Sequence, residues 1–275
     1  MRTLYVSDLD GTLLRSDETI SSYTNDVINF LTRRGMLFSY ATARSLITAK
    51  KVTGEICTHI PLIVYNGAFI FDNATEEILA ARYFDATAID LLDDLHSAGV
   101  YPIVYAYIDG KEKFSFIPHA CTPGMTTFLN SRKGDIRTHA VANFDDLKRG
   151  DIFYITCIDE PQELEPLYEK YRNSYHCVYQ RDVYSHEQWL EFMPKKTSKS
   201  HAILHLKELL GCDRLVVFGD GKNDLDMFDI ADECYAVENA VDELKERATA
   251  VIGSNDEDGV AHWLEARFEA SEQEF

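Results

Sequence analysis

Two aspartates separated by one residue follow the first apolar stretch of the chain, in the sequence SDLDGTLL. TLYVSD predicts a short β-strand, so Asp8 would stand at its carboxyl end and Asp10 two residues beyond it, before Gly11. Carboxylates this close repel each other and are costly to desolvate, but the pair suits two-step phosphoryl transfer. One would attack phosphorus while the other gives and takes the proton, and Gly11 would let the backbone approach the ligand. An Asx turn that closes the strand explains the pair equally well.

A second acidic group follows another apolar strand, in VVFGDGKNDLDMF, and contains Asp220, Asp224 and Asp226. Carboxylate oxygens are the ligands that Mg²⁺ prefers in proteins, together with water and phosphate oxygens. The alternative is an acidic first turn, which the helix dipole favours. That alternative explains Asp224 and Asp226 well but Asp220 poorly, so the motif favours a magnesium site.

Two smaller motifs could hold a phosphate group. Thr42 ends the second predicted strand in YATAR, where its hydroxyl could bind a phosphate oxygen. Lys199 lies in KKTSKS at the start of a predicted helix, a position that the helix dipole disfavours for a cation. A lysine beside a helix N-terminus makes a phosphate site, which gives that placement a functional reason. A solvated surface lysine is the other interpretation, and Lys195 and Lys196 are rival candidates.

The elements that must position these residues alternate between strand and helix. In the first third of the chain the series is a strand in TLYVSD, a helix in SSYTNDVINFLTRRG, a strand in MLFSYAT, a helix from Ser45 to about Val52 and a strand in PLIVYNGAFIF. The last third repeats the pattern, with a helix in SKSHAILHLKELLG and a buried strand in RLVVFGD. Such alternation predicts a doubly wound α/β fold with a parallel sheet. Ligands of these sheets bind just outside the carboxyl ends of the strands, where the motifs stand.

The middle of the chain follows a different pattern and predicts an inserted α+β domain. VYPIVYAYI and KFSFI are rich in β-formers, and the turn Asp109–Gly110 would join them into a hairpin. DIFYITCI, helical PQELEPLYEKYRNS and HCVYQRD follow. We therefore predict a core domain of residues 1–82 and 187–275 and a cap domain of residues 83–186. Tyr101, Tyr105 and Tyr107 would share one face of a cap strand, more as part of the core than as a stacking surface for a substrate.

Composition narrows the class of protein. The formal net charge is −19, which would repel nucleic acid and an anionic membrane surface. A small anionic substrate would therefore need a metal ion or a local cation. The six cysteines form no CxxC pair, which predicts buried free thiols in a reducing compartment. With no signal segment and no apolar run approaching about 18 residues, the sequence predicts a cytoplasmic protein. The oligomeric state stays open.

The four motifs, in their order and at their strand ends, resemble those of the haloacid dehalogenase-like (HAD) phosphohydrolases. DLDGT is similar to the first motif, Thr42 to the second, Lys199 to the third and GDGKND to the fourth. The resemblance covers nearly the whole chain and is greatest to the Cof-type subfamily, which carries a large C2-type (IIB) α+β cap between the second and third motifs. LLRSDETIS, NGA and NDEDGVAHWL are similar to further segments of that subfamily. The resemblance implies a Rossmann-like core, an aspartyl-phosphate intermediate and Mg²⁺ as the cofactor.

The resemblance also implies the catalytic residues. Asp8 would be the nucleophile, and Asp10 would protonate the leaving group and then deprotonate the attacking water. Thr42 and Lys199 would bind the phosphoryl oxygens. The repulsion between the carboxylates would then be relieved by Mg²⁺ and by Lys199.

The same resemblance implies the ligands of the ion. Asp220 would ligate Mg²⁺ together with an Asp8 oxygen and the Asp10 backbone carbonyl, and Asp224 would support the ion directly or through water. Ala43 stands where the subfamily usually has glycine, in TAR for TGR, and leaves less room for a close backbone approach. The predicted substrate-binding residues are Gly11, Ala43, Arg44, Asn66 and Asn223.

The predicted function is Mg²⁺-dependent hydrolysis of a small phosphate monoester, such as a sugar phosphate or a phosphorylated cofactor. A phosphomutase of the phosphomannomutase kind is one alternative, because it shares the core chemistry and a similar cap. A non-catalytic sensor of a phosphorylated metabolite is another, which the full set of catalytic residues disfavours. His201 and His205 have the four-residue spacing of zinc ligands, but no third ligand accompanies them and we predict no zinc site. Selectivity for the leaving group would reside in the cap.

Overall fold

The structure, a computed structural model, describes residues 1–182 and 186–273. It divides into two compact units, one formed by Met1–Ala81 with Ser198–Phe275 and the other by Arg82–Thr197. The strands, in chain order, are β1 (Thr3–Ser7), β2 (Leu37–Tyr40), β3 (Leu62–Val64), β4 (Phe69–Phe71), β5 (Ile78–Ala81), β6 (Ile103–Ile108), β7 (Lys111–Phe116), β8 (Thr138–Ala140), β9 (Asp151–Ile158), β10 (His176–Arg181), β11 (Gln188–Met193), β12 (Arg214–Gly219), β13 (Glu233–Val237) and β14 (Ala250–Ile252). The α-helices are α1 (Ser22–Arg33), α2 (Leu46–Thr53), α3 (Thr87–Ser97), α4 (Pro123–Ser131), α5 (Pro161–Tyr171), α6 (Lys199–Leu209), α7 (Leu225–Phe228), α8 (Asp242–Arg247) and α9 (Gly259–Gln273).

The first unit is built on a parallel sheet in the order β14-β13-β12-β1-β2. Its central strands are apolar on both faces, and Leu4 and Val6 of β1 are fully buried beside Leu215 and Val217 of β12. The chain winds outward from β1 to β2 and, after the second unit, outward from β12 to β13 and β14. The winding direction therefore changes between β1 and β12, and in open α/β sheets ligands bind outside the carboxyl ends of the strands at such a point. The predicted doubly wound α/β fold is confirmed.

Serine side chains begin three helices of this unit. Ser21 accepts a hydrogen bond from the Thr24 amide at the start of α1, and Ser45 does the same for the Thr48 amide at the start of α2. Ser198 accepts from the His201 amide at the start of α6. Each oxygen satisfies an amide that the first helical turn leaves without a partner.

The stretch PLIVYNGAFIF forms two strands. The chain reverses at Tyr65–Gly67, and all three residues have positive φ angles. The resulting antiparallel strands β3 and β4 are joined by β5 in a three-stranded sheet. A single bridge between Ala41 and Ile63 continues the parallel sheet beyond β2.

The second unit contains a six-stranded sheet in the order β10-β11-β9-β6-β7-β8. Helices α3 and α5 supply leucines that pack against Val104, Ile155 and Leu190 on one face of the sheet. Asp109 and Gly110 both have positive φ angles, so β6 and β7 form the predicted hairpin.

The second boundary of this unit lies later in the chain than 186/187, where the predicted cap ended. β11 pairs with β10 and β9 of the six-stranded sheet, so residues 188–193 belong to the second unit and the chain returns to the first unit at Ser198. The apolar run of β11 carries no signal of the sheet it joins, because pairing partners are set by tertiary packing.

Tyr101, Tyr105 and Tyr107, predicted to share one face of a strand, do not do so. Tyr105 and Tyr107 contact the ring of Phe153, whereas Tyr101 packs with the helix-side cluster. Strand β6 begins only at Ile103, after a proline, so Tyr101 lies outside the strand. The alternation of side chains along β6 therefore does not determine the direction of Tyr101.

All six cysteines are free thiols, as predicted, but only Cys157 and Cys234 are buried. Within residues 1–182 and 186–273, no helix combines the length and the apolar character needed to cross a membrane.

Candidate active site

Asp8 and Asp220 lie at the carboxyl ends of the two adjacent strands β1 and β12. The Asp8 amide donates to the carbonyl of Phe218 at 2.9 Å, which joins the strand ends, and both aspartates are buried. The hydroxyl of Thr12 donates to Oδ1 of Asp220 at 2.8 Å. Thr12 belongs to the quoted motif DLDGT but was not among the predicted site residues.

Lys199 is the cation of this cluster. Its side chain is 1 % exposed, and its ammonium donates to Oδ1 of Asp8 at 2.6 Å and to Oδ1 of Asp224 at 2.7 Å. The rival candidates Lys195 and Lys196 are exposed and lie in the second unit. Burial of one lysine among carboxylates therefore distinguishes Lys199 from both neighbours.

Asp224 connects the lysine to the loop that follows β12. Its Oδ1 accepts from Lys199, while its Oδ2 accepts from the amides of Asp220 and Gly221 at 3.0 Å each. The side chain is fully buried. Asp8, Asp220 and Asp224 each offer an oxygen to a group whose atoms lie within 4.8 Å of one another, and this is the one potential metal-binding group among the residues described.

The charges of this cluster do not balance, since three buried carboxylates share one ammonium. Burial raises the pKa of Asp8 well above its usual value; Lys199 opposes this shift, and the other carboxylates add to it. Burial and the charge of Asp224 raise the pKa of Asp220 to about 7. Burial alone would lower the pKa of Lys199, but Asp224 and Asp8 outweigh it and raise that pKa. An additional cation would oppose the upward shifts of the carboxylate pKa values, as Lys199 does for Asp8.

Arg44 binds Asp10 in the structure. Its Nε lies 3.0 and 2.9 Å from the two oxygens of Asp10, and its Nη2 lies 2.5 Å from Oδ1. The same Nη2 also donates to Glu18 at 2.7 Å. Arg44, predicted to bind substrate, thus has its guanidinium on two carboxylates. Glu18 was not predicted as a site residue, although it lies in the segment LLRSDETIS that resembles the subfamily.

Thr42, Asn66 and Asn223 come together beside these groups. The Thr42 hydroxyl accepts from the Arg44 amide at 3.1 Å, and the Thr42 carbonyl accepts from the Asn66 amide at 2.9 Å. Asn223 Nδ2 lies 3.5 Å from Oδ1 of Asn66. Thr42 and Asn66 are fully buried, whereas Ala43 between Thr42 and Arg44 is partly exposed.

Gly11 occupies a position that leaves no room for a side chain. It has a φ angle of +78°, and a Cβ at this position would lie 2.4 Å from Oδ2 of Asp220. Asn239 donates its Nδ2 to the Gly11 carbonyl at 2.7 Å and accepts from the Asn255 amide at 3.0 Å. Asn239 was not among the predicted site residues.

The histidine pair contributes nothing to the acidic cluster. His201 and His205 are both exposed on α6, and Nδ1 of His201 contacts the hydroxyl of Ser198.

Comparisons with known proteins establish the class of this protein. The family model of the haloacid dehalogenase-like hydrolases matches residues 5–264, so the chain belongs to that family. Among curated relatives, the 5-amino-6-(5-phospho-D-ribitylamino)uracil phosphatase YwtE of Bacillus subtilis is 27 % identical over 276 residues, which cover 94 % of this chain and 95 % of that protein. The protein is accordingly a phosphatase, a phosphoric monoester hydrolase, as predicted.

Solved structures show the same architecture. A protein of Thermotoga maritima is 26 % identical, with a TM-score of 0.77 over 96 % of this chain and 97 % of its own. A sugar phosphatase of HAD subclass IIB is 18 % identical, with a TM-score of 0.77 over 97 % of this chain and 98 % of its own. The second likeness is one of fold alone, and it confirms the predicted HAD-type fold with a cap.

Proposed function

We propose that this phosphatase hydrolyses small phosphate monoesters with the help of Mg²⁺ and forms an aspartyl-phosphate, an acyl phosphate, on Asp8. The observation that carries the proposal is the buried contact of Asp8 with Lys199, beside Asp220 and Asp224. A carboxylate that a lysine and a metal ion hold beside a phosphoryl group has the surroundings of an activated nucleophile.

The carboxylate cluster fits a divalent cation of the Mg²⁺ type. Its donors are carboxylate oxygens, which suit a hard cation, and three buried carboxylates with one ammonium leave negative charge that such an ion would offset. Asp8, Asp220 and the Asp10 carbonyl would hold the ion. Asp224 would support it through water, since both of its oxygens already accept hydrogen bonds. When bound, Mg²⁺ supplies Lewis-acid stabilisation of the charge on the phosphoryl oxygens.

The reaction needs two carboxylates with different roles. An Asp8 oxygen forms a bond to phosphorus as the bond to the leaving-group oxygen breaks, and Asp10 gives its proton to that oxygen. Asp10 then takes a proton from a water molecule that attacks phosphorus, which releases inorganic phosphate and restores Asp8.

The remaining site residues bind and orient. Lys199 and the Thr42 hydroxyl bind phosphoryl oxygens, with Asn223 ordering the same region. The Arg44 guanidinium contacts both oxygens of Asp10, so one oxygen must leave this contact to carry the proton while the other keeps the carboxyl oriented toward the leaving group. We therefore assign Arg44 to the orientation of Asp10 within the substrate-binding site, which Gly11, Ala43 and Asn66 complete through the backbone.

The substrate we propose is a small phosphorylated metabolite, either a sugar phosphate or a phosphorylated cofactor or precursor. The name of the Bacillus subtilis relative makes a ribityl phosphate on a pyrimidine one member of this class to test. The residues that recognise the leaving group would lie in the second unit, because the motif residues account only for phosphate, metal and proton transfer.

A panel of phosphomonoesters assayed with Mg²⁺ tests the proposal. Sugar phosphates, pyridoxal phosphate, nucleotides and the ribityl phosphate should include a substrate that releases inorganic phosphate. Phosphate transfer to sugar alone, dependent on a sugar bisphosphate, would identify a phosphomutase. Binding of these compounds without any release would identify a sensor.

A further inference from the structure

Asp226 is the acidic residue of the loop after β12 that the proposed chemistry leaves without a role. It lies two residues after Asp224, in the first turn of α7, and is partly buried. Its carboxylate is outside the group formed by Asp8, Asp220 and Asp224. The predicted metal ligands were Asp8, Asp10, Asp220 and Asp224, and Asp226 was not one of them.

The carboxylate of Asp226 lies at the N-terminus of α6. Its Oδ2 accepts a hydrogen bond from the Ser200 amide at 3.2 Å. Ser198, the residue before the helix, accepts from the His201 amide at 3.3 Å. Two amides of the first turn, which have no partner within the helix, thus have side-chain acceptors. The positive end of the α6 dipole, at its N-terminus, also stabilises the negative charge of Asp226.

Lys199 is the first residue of the same helical turn. The direction of its side chain therefore depends on how this turn is held, and its ammonium must meet Asp8 and Asp224 at 2.6 and 2.7 Å. Asp224 holds the tip of the lysine, whereas Asp226 holds the backbone one residue after it. Both acidic residues belong to one short segment of the loop and α7.

We infer that Asp226 is a positioning residue, which fixes the first turn of α6 so that Lys199 is aimed at Asp8. The inference deepens the proposed function, on which it rests for its effect on turnover. The segment Asp224–Asp226 then has two roles: Asp224 holds the ammonium of Lys199 within the carboxylate cluster, and Asp226 holds the N-terminus of α6. A shift of this segment would move the ammonium relative to the nucleophile.

The first test compares three variants at saturating Mg²⁺ with p-nitrophenyl phosphate and the best substrate of the panel. Asp226→Ala should lower kcat by about 10- to 100-fold, the range expected for a misplaced catalytic group. Asp226→Asn should recover most of the rate, because the carboxamide oxygen can still accept from Ser200. Asp229→Ala, which removes an exposed carboxylate bound to Arg247, serves as the matched control and should leave kcat within about twofold.

A double-mutant cycle distinguishes positioning from general destabilisation. In a Lys199→Ala background, Asp226→Ala should lower kcat by less than about twofold, because the side chain that Asp226 positions is absent. A loss as large as in the wild-type background would overturn the inference.

Hydrogen exchange gives a readout that does not need activity. In Asp226→Ala, amides of residues 198–203 should exchange about tenfold faster than in the wild type, as expected from loss of a helix cap, and Asp226→Asn should restore the protection. Unchanged exchange in Asp226→Ala would overturn the inference even if kcat fell. Failure of every phosphomonoester in the panel would contradict the proposed function alone, because the exchange result would still decide whether Asp226 holds the helix.

Discussion

The ammonium of Lys199 lies 2.6 Å from Oδ1 of Asp8, although 191 positions separate the two residues in the chain. Both side chains are buried, and the contact joins the start of α6 to the end of β1. A buried ion pair of this kind depends on excellent geometry, because each ion has lost its water. The contact therefore ties the two ends of the first unit into one site.

Replacement of the nucleophile should abolish turnover. Asp8→Asn should keep the fold and lose activity, because an amide is a far poorer nucleophile than a carboxylate. Asp10→Asn should lose about 10²–10⁴-fold through general acid–base help, and more if both steps depend on it. Steady-state rates with p-nitrophenyl phosphate measure both, and circular dichroism checks the fold. An Asp8→Asn protein with more than a tenth of the wild-type rate would contradict the assignment.

Removal of the metal should abolish activity, and the Asp220 carboxylate should dominate its binding. EDTA should stop turnover and Mg²⁺ should restore it, whereas Ca²⁺ should inhibit because its coordination is larger and looser. Asp220→Ala should raise the Mg²⁺ concentration for half-maximal rate by about tenfold or more. Asp226→Ala is the control and should leave this concentration nearly unchanged. Equal effects of both substitutions would show that the wrong carboxylate has been assigned to the ion.

Without a divalent cation, Asp220 should make the protein less stable as the pH rises. Its pKa is about 7 in the folded protein and 3.8 as the usual value, so the folded state binds more protons between these values. The free energy of unfolding contributed by this group therefore falls from about pH 4 to about pH 7 and is level above that, a change of up to about 4 kcal/mol.

Urea unfolding in EDTA at pH 5 and at pH 8 measures this effect. Asp220→Asn carries no titrating group at the position, so its stability relative to the wild type should be higher at pH 8 than at pH 5. A difference between the two proteins that does not change with pH would show that Asp220 is not protonated in the folded state. Addition of Mg²⁺ should reduce the effect in the wild type.

Gly11 should tolerate no side chain, because of space as well as conformation. Gly11→Ala places a methyl group 2.4 Å from Asp220 Oδ2, and Gly110→Ala has a similar positive φ angle but nothing within 4 Å. Both variants should lose about 1 kcal/mol of stability from the left-handed conformation. Only Gly11→Ala should also weaken Mg²⁺ binding and lower activity, and a Mg²⁺ titration of the rate measures both. Equal activity of the two variants would rule out crowding at Asp220.

Removal of the second unit should separate chemistry from selectivity. The two residues at which the first unit is interrupted, Ala81 and Ser198, lie near the same short segment. Ala81 pairs with Phe69, and a Cβ at Gly67 would lie 2.1 Å from the Ser198 carbonyl oxygen. A short Gly/Ser linker can therefore replace residues 82–197. The truncated protein should still bind Mg²⁺ and hydrolyse p-nitrophenyl phosphate, while losing most of its preference among natural substrates.

Near-ultraviolet circular dichroism and a cooperative thermal transition must first show that the truncated protein is folded. A folded first unit that ranks the phosphomonoester panel as the full chain does would place selectivity outside the second unit.

Much of this protein was predictable from sequence because its chemistry is local. The strand-end placement of Asp8 and Asp220 follows from apolar runs and their alternation with helices, and parallel strands bring such ends to one edge of a sheet. The family resemblance follows from the order of short motifs, and the family match confirms it.

Tertiary structure decided what depends on distance between remote segments. Periodicity could not choose Lys199 over Lys195 and Lys196, because burial beside Asp8 and Asp224 is a property of packing. Likewise, a run of β-formers does not name its partner strand, so β11 was placed in the wrong unit.

The partners of Arg44 and Asp226 were also beyond the sequence. A hydrogen bond forms or fails within a few tenths of an ångström, and the direction of each side chain follows from the turn that carries it. The sequence by itself determined which functional groups the site has and the strand ends at which they stand. Only the folded chain decided that Arg44 binds Asp10 and that Asp226 accepts from the first turn of α6, because those contacts join segments that packing alone brings together.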